Sequence, residues 1–403
     1  MFFYRFYHDE RSLFSIYFFE FSAGVHQALK PHTDVHPMSI KKAEAIAVSL
    51  PFDIGGPKPT FAGIPRRMEI LFIRLENHQG LVGWGEAFGL SIWPATLQAF
   101  EHLVAPLVID QDESDISGLM ERLTRQLHIL GRSGAVTYAL SGLDIALWDM
   151  AGKKANQSIG EMLGGPKHTQ LPAYASLMRY GCEQLVKDNS MRALNQGFKG
   201  IKLHETQVGL VHAARSVLGP HVPLMMDVNC PWSIEESLRA AEELCSAELY
   251  WLEEPIWPPE DFEALQQVRT QSGIRIAAGE NNISVLHFEQ MLKAQSVDFI
   301  QPSVTKIGGI SAFLKVMALS DQHQVPLMPH SPYFGPGFLA SLHLASLLEE
   351  EVMIEYSFAD LGANPMGSAV LLDQGFLKIP QGPGLGQDPE LDILREFRVR
   401  PQG

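Results

Sequence analysis

Eight short apolar runs, each closed by a polar or charged residue, restrict what this chain can fold into more than any other feature. They are LPAYAS, GIKLHE, VPLMMDVN, LYWLEEP, IRIAAGEN, VDFIQPS, VPLMPHS and VMIEYSF, and helical stretches lie between them. The closing residues are Ser176, His204, Asp227, Glu253, Glu280, Ser303, His330 and Glu355, spaced 23 to 28 residues apart. That spacing is one strand plus one crossover helix. Eight such units predict a (β/α)8-type, TIM-like barrel, an α/β fold whose functional groups gather at the C-terminal ends of its strands. A doubly wound sheet is the alternative, but it has no need of eight similar units with a polar residue closing each.

The chain before Gly165 has a different texture. KKAEAIAVSL, MEILFIRLE and LVGWGEA read as antiparallel strands, and from about residue 94 to 164 the pattern turns helical. The clearest helix is AVTYALSGLDIALWDMAGKK, with apolar residues at helical spacing. Strands followed by helices predict an α+β domain over residues 38–165, capping a barrel over 166–360. A Gly/Pro-rich tail, 361–403, is expected to pack back on the cap. Residues 1–37 contain MFFYRFYHDERSLFSIYFFEF, aromatic but interrupted by charge. The run Ser12 to Phe19 is far too short to span a bilayer, and no signal-peptide cleavage pattern follows a clean apolar core. This segment is expected to be an extension outside the folded body, and no membrane segment is expected elsewhere.

With 31 Lys and Arg against 46 Asp and Glu, the formal charge is −15, which leaves no basic surplus to neutralise nucleic-acid phosphates. Three cysteines, Cys182, Cys230 and Cys245, lack metal or redox spacing. So sparse and odd a set suits a reducing compartment, and a cytoplasmic protein is expected.

Asp227, Glu253 and Glu280 close three consecutive strands. One acid at a strand end is ordinarily solvated or ion-paired. Three at one barrel mouth repel each other unless a cation joins them, and an all-oxygen set favours Mg2+. Asn229 and Glu254 are candidates for supporting contacts around this cluster.

At this point the chain resembles the enolase superfamily, in its mandelate racemase and muconate-lactonizing enzyme branch. The resemblance rests on WLEEP, AAGEN, TKIGGIS and a strand ending in Lys-x-His, with GWGEA, SGLDIALWDMAGKK and LGG in the capping region. It covers nearly everything from Met38 onward. It implies Mg2+ ligands at Asp227, Glu253 and Glu280. It implies that Lys202 and Glu355 meet the carboxylate of a small substrate. The implied step is abstraction of a proton α to that carboxylate, giving an enediolate whose second negative charge a cation and nearby donors must hold.

Two positions depart from the family pattern. His204 stands where a second lysine is frequent, and Ser303 stands where mandelate-racemase-like members have an aspartate that orients a histidine. His330 matches that histidine but is expected to lack its carboxylate partner. Imidazoles titrate near neutrality, so His204 is expected to act as base and His330 as acid toward a leaving hydroxide. Ser176, Ser303 and Asn229 are expected to touch substrate, with Tyr333 a wall residue. Lys306, three residues past Ser303, reads as structural. The loop from Asp53 to Arg67 is expected to reach over the mouth, where Lys58, Arg66 and Arg67 could meet a second anionic group. The sequence therefore predicts a homo-oligomeric, Mg2+-dependent dehydratase of an acid sugar. A racemase, epimerase or cycloisomerase is the second reading, and a non-catalytic binding protein on the same scaffold the third.

Overall fold

The computed structural model describes residues 38–61 and 63–401, so the expected N-terminal extension, 1–37, lies outside the described residues. Three strands lead the chain: β1 (Ile40–Leu50), β2 (Met68–Asn77) and β3 (Val82–Ala87), paired antiparallel in that order. Alternation along β1 buries Ala45 and Ala47 and leaves Lys42 and Glu44 less enclosed. Helix α1 (Ala135–Ala155) lies against β3, and apolar residues cover most of its circumference because it is enclosed on several sides. Two glycines permit the close approach. A Cβ on Gly85 would sit 2.0 Å from the Gly142 carbonyl oxygen, and one on Gly83 would sit 2.2 Å from Met150 Cγ.

The barrel follows. Its first six strands are β4 (Gln170–Leu177), β5 (Gly200–Leu203), β6 (Leu224–Asp227), β7 (Trp251–Glu253), β8 (Ile276–Ala278) and β9 (Phe299–Ile300). The last is β10 (Ile354–Ser357), and all pair in parallel in the order β9-β8-β7-β6-β5-β4-β10. The expected strand VPLMPHS, between β9 and β10, is reduced to a single bridge between Ile300 and Leu327. Its prolines, Pro326 and Pro329, have no N–H to donate, and the segment keeps three backbone bonds on the β9 side: Ile300 N to Pro326 O (3.0 Å), Met328 N to Ile300 O (2.9 Å) and His330 N to Pro302 O (3.1 Å). The gap to β10 is closed instead by Ser331, whose N donates to Glu355 Oε2 (3.2 Å) and whose Oγ donates to the Glu355 carbonyl (3.0 Å). The fold is thus an α/β barrel of the (β/α)8 type with an N-terminal cap, the strand position between β9 and β10 being only a short pairing.

The tail departs from expectation in part. β11 (Phe376–Lys378) pairs antiparallel with barrel strand β4, while only β12 (Arg398–Val399) extends the cap sheet, beside β1. The tail therefore spans both layers.

Two buried carboxylates of the cap reach the starts of two barrel helices, α2 (Gly309–His323) and α3 (Pro336–Ala345). Asp144 Oδ1 accepts from Ser311 N (2.9 Å), and Glu86 Oε2 accepts from Gly337 N (2.8 Å). Unpaired amides at a helix start favour such acceptors. These contacts hold the chain that follows Ser303 and His330 against the cap, and one continuous apolar core runs beneath, including Phe72, Ile145, Tyr333 and Phe338.

Burial pushes the Glu86 carboxyl up to about 8 and that of Asp144 up to about 7, against the pull of the helix amides. Groups raised on folding add stability that is fully present below their unfolded values and is lost as pH rises through their folded ones. The melting temperature is accordingly expected to decline from weakly acid pH toward about 8. Glu86→Gln keeps an acceptor and cannot ionise, so it should flatten that decline. A variant profile parallel to the parent's would discard the assignment.

Candidate active site

The cluster at the barrel mouth follows from strand register. β6 and β7 pair with Asp227 beside Glu253, and Glu280 follows two residues after the end of β8. One oxygen from each of the three carboxylates lies within 4.8 Å of the others. The chain turns away sharply after the first two of these acids: Asn229, Cys230 and Glu254 take positive φ values of 54°, 56° and 45°. Such left-handed residues other than glycine are costly and gather at functional sites. The set also fits a hard cation by an observation of its own. Asp227 Oδ2 is buried and accepts no hydrogen bond among the described residues, although two cationic side chains face it.

The first of these is Lys202, wholly buried on β5. Its Nζ lies 2.8 Å from Glu355 Oε1, 2.9 Å from Glu253 Oε1 and 3.5 Å from Asp227 Oδ2. Burial disfavours its charge, but these carboxylates outweigh that and keep it protonated. One ammonium does not balance them. Burial, with Asp227 and Glu355 nearby, pushes Glu253 up to about 8 despite Lys202. Negative charge is therefore in excess here, which is what a divalent cation would relieve.

The second is His204. Nε2 stands 3.2 Å from Asp227 Oδ2, and Nδ1 lies 2.6 Å from the Leu177 carbonyl. A carbonyl only accepts, so Nδ1 carries a hydrogen, and Nε2, which faces Asp227, is the nitrogen that gains or loses a proton. Burial opposes the imidazolium, yet Asp227 and the Leu177 carbonyl hold the ring above its ordinary pKa. Arg179 Nε donates to the His204 carbonyl (2.6 Å) and steadies the end of this strand.

His330 reverses an expectation. It does meet a carboxylate: Nε2 lies 2.6 Å from Glu280 Oε2, while Nδ1 faces the Tyr333 hydroxyl at 3.3 Å. Tyr333 is bonded in turn to Ser303 Oγ. Ser303 thus turns toward Tyr333 in the wall. Lys306, read as structural, faces the same acid. Its ammonium is 3.7 Å from Glu280 Oε1 and 5.1 Å from the Phe88 ring centre, so it joins the acid cluster beneath the cap. Burial opposes ionisation of Glu280, but His330 and Lys306 hold it well below the usual carboxylate range.

Other predicted residues are engaged by the protein itself. Ser176 Oγ donates to Glu355 Oε1 (2.8 Å). Asn229 offers its backbone N to Asp227 Oδ1 (3.0 Å), and the residue is exposed to solvent. Glu254 accepts from Asn281 Nδ2 at both oxygens (3.0 and 2.8 Å), outside the ligand group. The expected mouth loop is tied at its root, where Phe52–Asp53 pairs with Asp360–Leu361. Arg67 is committed to Ser49 through Nε (2.8 Å) and Nη2 (2.7 Å), which leaves it poorly suited to a second anion.

Comparison with known proteins matches this geometry. An enolase C-terminal domain-like family model covers residues 186–393. The mandelate racemase/muconate lactonizing enzyme N-terminal domain model covers residues 48–164. The chain is 28% identical to an arabinonate dehydratase of Saccharolobus solfataricus, over 83% of this chain and 91% of that one. It is 32% identical to a D-galactarolactone cycloisomerase of Agrobacterium fabrum, over 83% and 92%. Among solved structures, a mandelate racemase/muconate lactonizing protein from Paracoccus denitrificans complexed with magnesium superposes with a TM-score of 0.81 at 26% identity, over 90% of this chain and 98% of that one.

Proposed function

Because the chain belongs to the mandelate racemase and muconate lactonizing enzyme branch of the enolase superfamily, we propose that it is a Mg2+-dependent acid-sugar dehydratase. The observation that carries this reading is the pair of imidazoles flanking one acid cluster, His204 Nε2 on Asp227 and His330 Nε2 on Glu280. In this reading Asp227, Glu253 and Glu280 hold the cation. When bound, it supplies the positive charge that makes an α-proton acidic enough to remove. Lys202, kept charged by its neighbours, meets the substrate carboxylate beside Glu355. His204 takes the α-proton at Nε2. The β-hydroxyl then departs with a proton from His330, so the C–H and C–O bonds break, a carbon–carbon double bond forms and water leaves. The enol product tautomerises to a 2-keto-3-deoxy acid.

The similarity to a cycloisomerase supports a second reading, in which the same enediolate expels a ring oxygen instead of hydroxide. A panel of aldonic acids, aldaric acids and their lactones, incubated with Mg2+ in deuterium oxide, tests both. Formation of a 2-keto acid is the expected result. Ring opening without loss of water would favour the second reading, and neither turnover nor α-deuteration would overturn both.

A cytoplasmic homo-oligomer is part of the same proposal. All three cysteines are free thiols, which supports a reducing location. Among the described residues no helix is long and apolar enough to cross a membrane.

A further inference from the structure

The two lysines at the mouth are engaged differently. Lys202 Nζ is within hydrogen-bond distance of Glu355 and Glu253, at 2.8 and 2.9 Å. Lys306 Nζ stops 3.7 Å from Glu280 Oε1 and makes no hydrogen bond among the described residues, although its side chain is only 9% exposed. An ammonium that is enclosed yet bound to nothing acts on its surroundings by charge. We infer that Lys306 is a positioning residue, held by the cap, that sets the charge balance of the metal site: it opposes the cation's hold on the carboxylates and leaves more of the cation's charge to the substrate.

Three observations carry this. First, Lys306 does not block Glu280. His330 Nε2 takes Oε2 at 2.6 Å, while the lysine stands off Oε1 beyond hydrogen-bond reach. That oxygen is left to a cation with the ammonium beside it, and like charges so close repel. Second, the cap fixes the ammonium. The Phe88 ring centre lies 5.1 Å from Nζ, inside the range of cation–π attraction. Tyr138 of α1 braces that ring, with centroids 5.0 Å apart. Third, the turn that bears the lysine is also fixed. Lys306 N and Ile307 N donate to the Ser303 carbonyl (2.9 and 3.2 Å), and Gly308 N donates to Ser141 Oγ of α1 (2.8 Å). The cap therefore holds both the side chain and its backbone.

The carboxylates give the reason for such a residue. Asp227, Glu253 and Glu355 gather at Lys202, and Glu280 lies at Lys306. So many acids would grip a divalent cation tightly and spend its charge on the protein. Lys202 offsets one side of the group and Lys306 the other. The effect on Mg2+ affinity rests on the proposed ligand set, and the effect on turnover rests on the proposed dehydratase reading.

Lys306→Met tests this, since methionine is unbranched, flexible and uncharged. Calorimetric titration with Mg2+, with no substrate present, is expected to show affinity raised about tenfold. Lys306→Arg keeps the charge and should stay within about threefold of the parent. Phe88→Leu should raise affinity about threefold, and it decides the matter if Lys306→Met does not fold. With a turned-over acid sugar and saturating Mg2+, Lys306→Met should also lower kcat about tenfold. Tighter metal with slower turnover is a combination that loss of structure does not give, since a damaged site loses both. Unchanged or weaker Mg2+ binding in the deciding variant, an equal rise in Lys306→Arg, or an unchanged kcat overturns the inference. Tighter binding in a protein that turns over no acid sugar would leave the charge role standing and sink the dehydratase reading.

Discussion

Replacing Glu253 by glutamine is expected to lower Mg2+ affinity on the order of 100-fold and to cost about 4 kcal/mol of transition-state stabilisation, roughly a thousandfold in rate. The size follows from where Glu253 sits. It is wholly buried between Asp227 and Lys202, at the middle of the three ligand-bearing strands. Glutamine keeps an oxygen for the Trp251 indole, which donates to Glu253 Oε2 at 2.8 Å. Lys202 keeps Glu355 at 2.8 Å. The fold should therefore survive, and an unchanged circular dichroism spectrum and melting profile would confirm that the loss is local. Calorimetric titration with Mg2+ reads the affinity directly. Undiminished binding in a folded variant would remove Glu253 from the ligand set and leave the cluster as an ion-pair network around Lys202.

That cluster is legible in the sequence because its signals are local. Alternation within five or six residues locates a strand, and a charged residue closing it points to the mouth. The same signals misjudge what lies one layer out. VPLMPHS has the apolar content of a strand, but with two prolines that cannot donate it keeps only a short pairing, three backbone bonds on the β9 side. Asn229 has the right position and the wrong group facing the site, since its backbone amide makes the contact. Lys306 lies six residues beyond the end of β9, so only the turn after that strand decides whether it points inward. The partners of His330 are hidden most deeply. Glu280 is 50 positions away in the chain, and Tyr333 reaches Ser303 across 30, through a loop whose course is set by Ser331 and by the cap residue Glu86. No periodicity encodes such contacts. The substitution of serine for the expected aspartate is the one sequence signal at this place. It indicates a missing partner without indicating its replacement.

The strongest test of the chemistry is His204→Asn. Removing the base should slow deuterium exchange at the substrate α-carbon by about three orders of magnitude, while an oxygen remains to hydrogen-bond a hydroxyl. Exchange is the informative measurement because it reports proton abstraction before any leaving group departs. If dehydration stops but exchange continues, another residue is the base and His204 serves only to bind. If both stop while Mg2+ affinity stays within about threefold, the metal site has survived and the proton acceptor has been lost. The metal control matters because His204 Nε2 lies 3.2 Å from Asp227 Oδ2, so the substitution touches a proposed ligand. His330→Asn separates the two histidines. With His204 intact it should permit α-exchange yet block loss of water, since the enediolate would form and return without a proton for the departing hydroxide. The opposite pattern, exchange surviving in His204→Asn and vanishing in His330→Asn, would exchange their roles.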